Sequence, residues 1–559
     1  MQQRGFDIGQ ALQEALSLHR QGRLREAEKL YARVLKAAPA NFDALHLSGL
    51  VKAQAGHMGE AHRLMAAALK INSQAPDAWV NFANVLHALK RDGEALAALD
   101  KALALRPGDT EILRNRGNAL LALGRVEEAF GHFDRVLKAN PRQGEALLNR
   151  GTALARLGRA DEALRDFDAA LALAPNHPAA LYNRGTVLND LGRHSEALAT
   201  FDRALGLAPN NAQAWNNRGR ALQALNRHQE AFESFDKAIA LDKTYADAHS
   251  NRALSLLTLG DFARGFADYE WRWKRSGMAD LRRNYHAPLW LGEFALARKC
   301  ILLHAEQGLG DTIQFARYAP LLARMGATVI LEVQPELKTL LSELDGVASV
   351  HARGEALPAY DVHCPLGSLP LALKTAPDTI PADIPYLRAD AARIAKWQPR
   401  IAPLRGKRVA FAWAGHARHP NDRNRTIELS SLTPLLASAG VSFISIQREL
   451  RGGDEARLKL CPNVIHVGDA LEDMSDTAAV LALADLLIAV DTSVVHLAGA
   501  MGRPAWVMLP FAPDWRWTLR GERSPWYPQV RLFRQSALGD WPSVIALVAA
   551  ALGEFAGAA

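Results

Sequence analysis

Cysteine is scarce in this chain, and several other features are missing. The three cysteines in 559 residues, Cys300, Cys364 and Cys461, lie far apart and form no CxxC pair, which argues against a disulfide framework and against a cysteine zinc site. No window approaches the roughly 18 uninterrupted apolar residues of a membrane span. The opening MQQRGFDIGQALQEAL has no apolar core of a signal sequence. We therefore expect a protein of the reducing cytoplasm that is neither secreted nor membrane-spanning.

Blocks of one charge sign are also absent. The formal net charge is +7, but Lys and Arg are spread along the chain rather than gathered in a basic tail, so nucleic acid is not an expected partner. A diphosphate-linked substrate and an anionic membrane surface are both compatible with this balance. Hydrophobic residues make up 49% and charged residues 22% of the chain, as in ordinary globular proteins. The length predicts three or four domains.

The first half carries an internal repeat of 34 residues. The tripeptide Asn-Arg-Gly starts at Asn115, Asn149, Asn183 and Asn217, and Asn251-Arg252-Ala253 is a fifth copy. Glycine and proline recur with the same period. This pattern resembles the tetratricopeptide repeat, in which small residues let two helices touch, Gly forms the turn and Pro follows the second helix. It predicts an α solenoid of eight units over residues 8–279, with degenerate ends.

An asparagine recurs in the first helix of six repeats. It lies two residues before the small packing residue, on a different face of the helix, which we interpret as the concave face. Its amide can pair with a peptide unit irrespective of sequence. Repeat arrays of protein O-glycosyltransferases similarly hold an extended polypeptide with an asparagine ladder, and the resemblance implies that role here. The alternative is inter-repeat hydrogen bonding or solvated surface. The ladder consists of Asn81, Asn115, Asn149, Asn183, Asn217 and Asn251.

Aromatic residues crowd the segment after the repeats. Tyr269, Trp271 and Trp273 occur within FADYEWRWKRSG. Because aromatic side chains chiefly supply buried area, we expect them to seal the last repeat against a neighbouring domain rather than to bind a ligand.

A strand, a polar turn and a helix start follow one another near the C-terminus. Leu486–Val490 has buried-strand character, Asp491-Thr492-Ser493 follows, and His496 lies one turn into a helical pattern. In an open α/β sheet ligands bind at such a carboxyl end, and the first helical turn favours an anion. The alternative is that Asp491 and Thr492 merely cap a helix. A second strand, 505–509, leads to the aromatic loop 513–517.

The string DTSVVHLAGAMGRP in this region resembles the sugar-nucleotide signature of the heptosyltransferase-like glycosyltransferases of family 9. The resemblance extends over roughly residues 295–555. It implies a GT-B unit of two Rossmann-like halves, which we place at residues 285–395 and, for the donor-binding half, 400–559. In this family an Asp-Thr pair and a His-Leu-Ala helix start hold the donor.

A matching motif opens the first predicted half. Strand 300–304 ends in AEQGLGDT, where Gly308 and Gly310 let the backbone approach a ligand and Asp311 stands at a helix start. In family 9 a Gly-Asp at this loop carries the acidic residue proposed to activate the acceptor hydroxyl. The resemblance therefore makes Asp311 the candidate base. The alternative role is a helix cap, and the two roles are compatible.

The rest of the predicted donor site follows two further strands. Small residues before the basic loop at 417–429 suit a diphosphate, although this region departs from the Thr-Thr and Lys of the family pattern. We expect no cofactor and no metal, because the only Asp-x-Asp, at Asp166, is part of the repeat. Arg425, His496 and helix N–H groups would meet the diphosphate charge. The predicted donor-binding residues are Gly308, Gly310, Gly415, Arg425, Gln447, Asp491, Thr492, Ser493 and His496.

These features predict an enzyme, a tetratricopeptide solenoid fused to an α/β GT-B unit. It would move a hexosyl or heptosyl group from a nucleotide-diphosphate sugar to an acceptor hydroxyl. Because half of the chain forms a peptide-type surface, we expect a Ser or Thr of an extended polypeptide or partner protein as acceptor. Two alternatives stay open. The acceptor could be lipopolysaccharide or another glycan, with the repeats docking a partner, or the chain could be an inactive adaptor.

Overall fold

The computed structural model describes residues 6–277, 283, 285–419 and 421–557. Its contacts divide the chain into two units, residues 1–209 and residues 210–559, and each is described by itself. The predicted ends of the repeats at residue 279 and of the second Rossmann-like half at residue 559 lie outside the described residues. The other predicted bounds of the two halves, at residues 285, 395 and 400, stay predictions. The boundary between the units falls within the repeats, because the last repeats pack on the α/β part.

The first unit consists of paired antiparallel helices joined by short turns. Each pair spans one 34-residue repeat of the sequence. The helices are α1 Ile8–Arg20, α2 Leu24–Ala37, α3 Phe42–Gln54, α4 Met58–Ile71, α5 Pro76–Ala88, α6 Asp92–Leu105, α7 Thr110–Ala122, α8 Val126–Ala139, α9 Gly144–Arg156, α10 Ala160–Leu173, α11 Pro178–Asp190 and α12 His194–Leu207.

The two helices of a repeat touch where a glycine faces a phenylalanine 16 residues later. A Cβ atom on Gly151 would lie 2.7 Å from the ring of Phe167, which is fully buried. Gly158 forms the turn between these helices with a φ of +74°, a conformation that side chains other than Gly rarely adopt. The repeat composition therefore follows from close helix packing and from the turn.

The arginine of each Asn-Arg-Gly tripeptide joins neighbouring repeats. Arg150 donates to Asp166 of its own repeat at 2.8 Å and to Asp134 of the preceding repeat at 3.0 Å. Arg184 pairs with Asp168 at 2.7 Å. Both carboxylates of the Asp-x-Asp sequence are thus held by arginines, which agrees with its interpretation as repeat structure.

The second unit begins with four more repeat helices and a short 3-10 helix, Glu270–Lys274. With these, the described helices α1–α16 form eight pairs, as the period predicts. Gly219 and Phe235 repeat the packing contact, with a would-be Cβ at 2.5 Å from the ring. The four helices are α13 Ala212–Ala224, α14 His228–Leu241, α15 Ala246–Thr258 and α16 Phe262–Tyr269.

Two parallel sheets follow in the same unit. Their strands are short apolar runs, because both faces of a parallel sheet are covered by helices. The first sheet has the order β3-β2-β1-β4, from β1 Cys300–His304, β2 Thr328–Val333, β3 Val347–Ala352 and β4 Val362–Pro365. The second has the order β10-β9-β8-β5-β6-β7, from β5 Lys407–Ala412, β6 Val441–Ser445, β7 Val464–His466, β8 Leu486–Val490, β9 Ala505–Leu509 and β10 Val530–Arg534.

Helices connect the strands and cover both sheets. The strand β10, at the sheet edge, was not predicted, because two arginines leave it without a continuous apolar run. None of the helices in the described ranges combines the length and apolar composition that a bilayer span needs. The connecting helices are α17 Leu309–Ala316, α18 Tyr318–Arg324, α19 Pro335–Leu341, α20 Leu369–Ala372, α21 Ala391–Ile401, α22 Asp422–Arg425, α23 Thr433–Leu436, α24 Asp454–Lys459, α25 Met474–Leu483, α26 Ser493–Ala500 and α27 Trp541–Gly557.

Candidate functional site

The strand-to-helix junctions of the two sheets pack against each other. One runs from β1 into α17 and the other from β8 into α26. A Cβ atom on Gly310 of α17 would lie 2.8 Å from Cδ2 of His496 and 3.4 Å from Cα of Ser493 in α26. The absence of a side chain at Gly310 therefore allows the first turns of the two helices to touch. The carboxyl edges of both sheets meet at this point, which we term the cleft.

Asp311 lies at the start of α17, as predicted. Its Oδ2 accepts the backbone N–H of Gly308, the N-cap residue, at 3.0 Å. Its Oδ1 accepts a hydrogen bond from Arg516. The side chain stays 26% exposed. An ionised carboxylate offers about four lone-pair directions, so these two contacts leave room for a substrate hydroxyl.

Arg516 links the two halves of the cleft. It belongs to the 3-10 helix Trp515–Trp517 after β9, and its guanidinium pairs with Asp311 and, at 2.8 Å, with Asp514. It also donates to Gln314 of α17. Burial alone would lower the pKa of Arg516, but the carboxylates of Asp514 and Asp311 outweigh this effect and raise the pKa. Arg516 is therefore a fixed buried cation between two acidic side chains.

Asp491 and Thr492 do not cap α26. Thr492 is the N-cap residue but makes no capping hydrogen bond, and its hydroxyl is buried without a partner among the described residues. Burial, together with the nearby Asp514 carboxylate, raises the pKa of Asp491 to about 6, against the opposing influence of Trp517. The capping alternative is thus wrong, and the Thr492 hydroxyl has no partner among the described residues.

Arg425 reaches the same junction from α22. Its Nη1 donates to the carbonyl oxygen of Asp491 at 2.9 Å, while its Nε is buried without a partner among the described residues. The guanidinium lies over Gly415, where a Cβ atom would stand 2.4 Å from Nη2. Gly415 therefore makes room for Arg425. The predicted donor residues Gly415, Arg425 and Asp491 come together in the structure.

Two predicted donor residues have structural contacts instead. His496 is buried, stacks on Trp517 at 5.3 Å and places Nδ1 3.2 Å from the Tyr527 hydroxyl. Burial, with Arg516 nearby, holds the pKa of His496 well below its ordinary range, so it is neutral and cannot supply the predicted positive charge. The Gln447 side chain accepts from the backbone N–H groups of residues 413 and 414, at 3.2 and 3.1 Å. The Gln447 side chain thus holds the backbone that follows β5 and does not face a ligand.

The ladder amides bond between neighbouring repeats. In the first unit Asn149 Nδ2 donates to Asn118 at 2.8 Å and Asn183 Nδ2 donates to Thr152 at 3.1 Å. Each partner belongs to the preceding repeat. These N–H groups therefore agree with the alternative interpretation, in which the asparagines form hydrogen bonds between repeats. Similar contacts join Asn81 to His46 at 3.1 Å and, within the second unit, Asn251 to Asn216 at 3.0 Å; Asn115 is half-buried and Asn217 is buried.

The sequence interpretation missed several residues of the cleft. Asp514, Arg516 and Trp517 lie in the aromatic loop that was recognised only as a second loop on the same edge. Glu306 precedes the recognised Gly308, and its side chain is 4% exposed. Burial raises its pKa to about 7, although Arg272 opposes this shift. The signal in the sequence that could have identified Glu306, Asp514 and Arg516 is a charged residue inside an apolar or aromatic loop.

Comparisons with known proteins match the repeats. The model described as tetratricopeptide repeat matches residues 114–178, 148–212, 182–246 and 216–276. The model described as anaphase-promoting complex, cyclosome, subunit 3 matches residues 20–102. The N-terminal half is a tetratricopeptide-repeat array. This confirms the prediction made from the 34-residue period. For the α/β part, the structure shows two parallel sheets.

Individual relatives cover parts of the chain. Protein FlbA of Caulobacter vibrioides is 27% identical over 325 residues, and the alignment spans 54% of this chain and 54% of FlbA. The chain thus spans about half the length of this curated relative. A tetratricopeptide repeat protein of Parabacteroides merdae is 21% identical, with a TM-score of 0.38, over 44% of this chain and 98% of that one. The structure of YrrB is 28% identical, with a TM-score of 0.28, over 33% and 95%.

Proposed function

We propose that this chain is a GT-B glycosyltransferase that transfers a sugar from a nucleotide-diphosphate donor to an acceptor hydroxyl. The observation that carries the proposal is the contact between the two strand-to-helix junctions, β1–α17 and β8–α26, at the carboxyl edges of two parallel sheets. Ligands of open α/β sheets bind at this edge. The resemblance of residues 295–555 to family 9 supplies the reaction class.

The side chains of the cleft suit this reaction. Asp311 would accept the proton of the acceptor hydroxyl. Thr492 Oγ1 and Arg425 Nε, both buried without a partner among the described residues, can contact a diphosphate, and the uncapped first turn of α26 favours its charge. As the sugar bond breaks, negative charge develops on the diphosphate, and Arg425 would stabilise it.

Replacement of Asp311 tests the base. Asp311→Asn should leave donor affinity and folding near those of the wild type and lower kcat by roughly 10²–10⁴-fold, the range for loss of a general base. Asp514→Asn is the matched control, because Asp514 also pairs with Arg516 but has no assigned proton transfer. If both variants lose the same small factor, Asp311 acts only through Arg516 and is not the base.

We further propose that the acceptor is a Ser or Thr of a polypeptide held by the repeats. The ladder amides donate one N–H between repeats, and an amide has two N–H groups and a carbonyl oxygen, so contact with a peptide backbone is compatible with their observed bonds. The variant Asn149→Ala/Asn183→Ala/Asn217→Ala should raise the KM for a polypeptide acceptor at least about 10-fold, because three bonds are lost at about 0.5–1.5 kcal/mol each. Donor hydrolysis without acceptor should not change.

The partners of the ladder provide a control. Asn118→Ala/Thr152→Ala removes the same two inter-repeat bonds but keeps Asn149 and Asn183. It should reproduce the loss of stability that comes from these two bonds and leave the acceptor KM near the wild-type value. An equal rise of KM in both variants would make the amides purely structural.

The inter-repeat bonds of the ladder favour a second candidate. Because these bonds account for the amides without a peptide, the acceptor could be a glycan that does not contact the repeats. Transfer to a glycan by a ladder variant with undiminished rate, and none to polypeptides by the wild type, would select this candidate.

A further inference from the structure

A buried arginine joins the end of the repeats to the loop after β1. Arg272, in the 3-10 helix after α16, has a side chain only 4% exposed. Its Nη2 donates to Glu306 at 3.1 Å and to Ser368 at 2.7 Å, and its Nη1 donates to Glu270 at 2.6 Å. The ring of Tyr269 lies 4.6 Å from the guanidinium carbon. Arg272 is therefore a cation shared by two carboxylates.

The next residue of the loop is held from the same side. Gln307 Nε2 donates to the hydroxyl of Tyr269, the last residue of α16, at 2.5 Å. The Gln307 carbonyl accepts from Gln334 at 2.7 Å. Gly308 then donates its backbone N–H to Asp311. Three consecutive loop residues, Glu306, Gln307 and Gly308, are thus held by hydrogen bonds, and two of the partners, Tyr269 and Arg272, lie at the end of the final repeat.

We infer that Tyr269 and Arg272 are positioning residues of the active site, which hold Glu306 and Gln307 so that the backbone of Gly308 orients Asp311. This inference rests on the proposed function, and it adds that the last repeat is part of the enzyme rather than only a docking module. Catalytic side chains need such support, because misplacement by about 1 Å can cost roughly 100-fold in rate. The aromatic segment thus contributes specific polar contacts to the loop after β1.

Tyr269→Phe is the least invasive test, because it removes only the hydroxyl that accepts from Gln307. We expect kcat to fall about 2–10-fold, the equivalent of one lost neutral hydrogen bond, with the donor KM unchanged. Arg272→Met should lower kcat further, and Arg272→Lys, which keeps the charge, should restore part of the loss. Arg275→Met is the matched control, since Arg275 in the same segment pairs with Asp247 at the surface. It should keep wild-type kcat and KM.

Gly367→Ala covers the case in which Arg272→Met fails to fold. Gly367 donates its N–H to Glu306 at 3.1 Å, and a Cβ atom there would lie 2.5 Å from the Glu306 carboxylate oxygen. The alanine therefore displaces Glu306 while Arg272 stays in place. We expect the same fall of kcat with an unchanged donor KM. Wild-type kcat in both Tyr269→Phe and Gly367→Ala would overturn the inference.

Hydrogen–deuterium exchange separates this inference from the proposed function. In Tyr269→Phe and Gly367→Ala the amides of residues 305–311 should exchange faster than in the Arg275→Met control. If the wild type transfers no sugar, the proposed function fails and the exchange rates alone decide whether the repeat orders the loop. Exchange equal to that of the control would overturn the positioning role, whatever the activity.

Discussion

Replacement of Gly310 by alanine tests whether the two strand-to-helix junctions must touch. The new Cβ would lie 2.8 Å from Cδ2 of His496, whereas carbon atoms in contact prefer about 3.5–4.0 Å. The His496 ring cannot rotate away at little cost, because it stacks on Trp517 at 5.3 Å and contacts the Tyr527 hydroxyl at 3.2 Å. The two helices must therefore move apart by about 0.7 Å, the difference between these separations.

The expected cost follows from two opposing effects. Overpacking of this size costs about 1–3 kcal/mol, and alanine in place of glycine in a helix recovers up to about 1 kcal/mol. The free energy of unfolding should therefore fall by about 0.5–2 kcal/mol. Urea unfolding followed by tryptophan fluorescence measures it, because Trp79 is the only one of the 12 tryptophans outside residues 210–559. Displacement of Asp311 should also lower kcat by about 10–100-fold.

Gly308→Ala is the matched control for stability. Gly308 has φ −71° and ψ 169°, a conformation open to alanine, and its would-be Cβ meets only an oxygen of Asp311 at 3.2 Å. Its free energy of unfolding should stay within about 0.5 kcal/mol of the wild type. If Gly310→Ala matches this control in stability and keeps wild-type kcat, close packing of the two helices is not required and the reasoning is refuted.

Three further predictions test other contacts. Gly415→Ala should weaken donor binding in calorimetry as much as Arg425→Ala does, because its Cβ would occupy the position of the guanidinium; a much smaller effect would contradict the shared role. Burial raises the pKa of Glu306 from 4.5 to about 7, so the folded state binds this proton more tightly than the unfolded state. Relative to Glu306→Gln, the wild type should therefore lose up to about 3 kcal/mol of stability in urea titrations as the pH rises from 4.5 to 7; a constant difference would contradict the shift. Gly151→Ala should destabilise the first unit by about 1–3 kcal/mol in circular dichroism melts, because its Cβ overlaps the ring of Phe167; an unchanged melt would contradict that packing.

Several features were predictable because their signals are local or periodic. The repeats follow from the 34-residue spacing, since each unit places the same glycine against the same phenylalanine, as Gly151 does against Phe167. The strands β1, β8 and β9 match their predicted bounds, because a buried parallel strand is an apolar run between polar turns. The same reasoning located Asp491 directly after β8 and Asp311 at the start of the helix that follows β1.

The contacts between these segments depended on the tertiary structure. Arg516 meets Asp311 across 205 positions of sequence and Tyr269 meets Gln307 across 38, and no period or short motif records either pair. The contact of Gly310 with His496 of the neighbouring helix is likewise set by the tertiary structure. Helix and strand patterns depend on residues that are close in sequence. A residue belongs to the cleft because side chains from the other sheet contact it. The sequence therefore determined the repeats and the strands, and the meeting of the two sheets decided which side chains form the site.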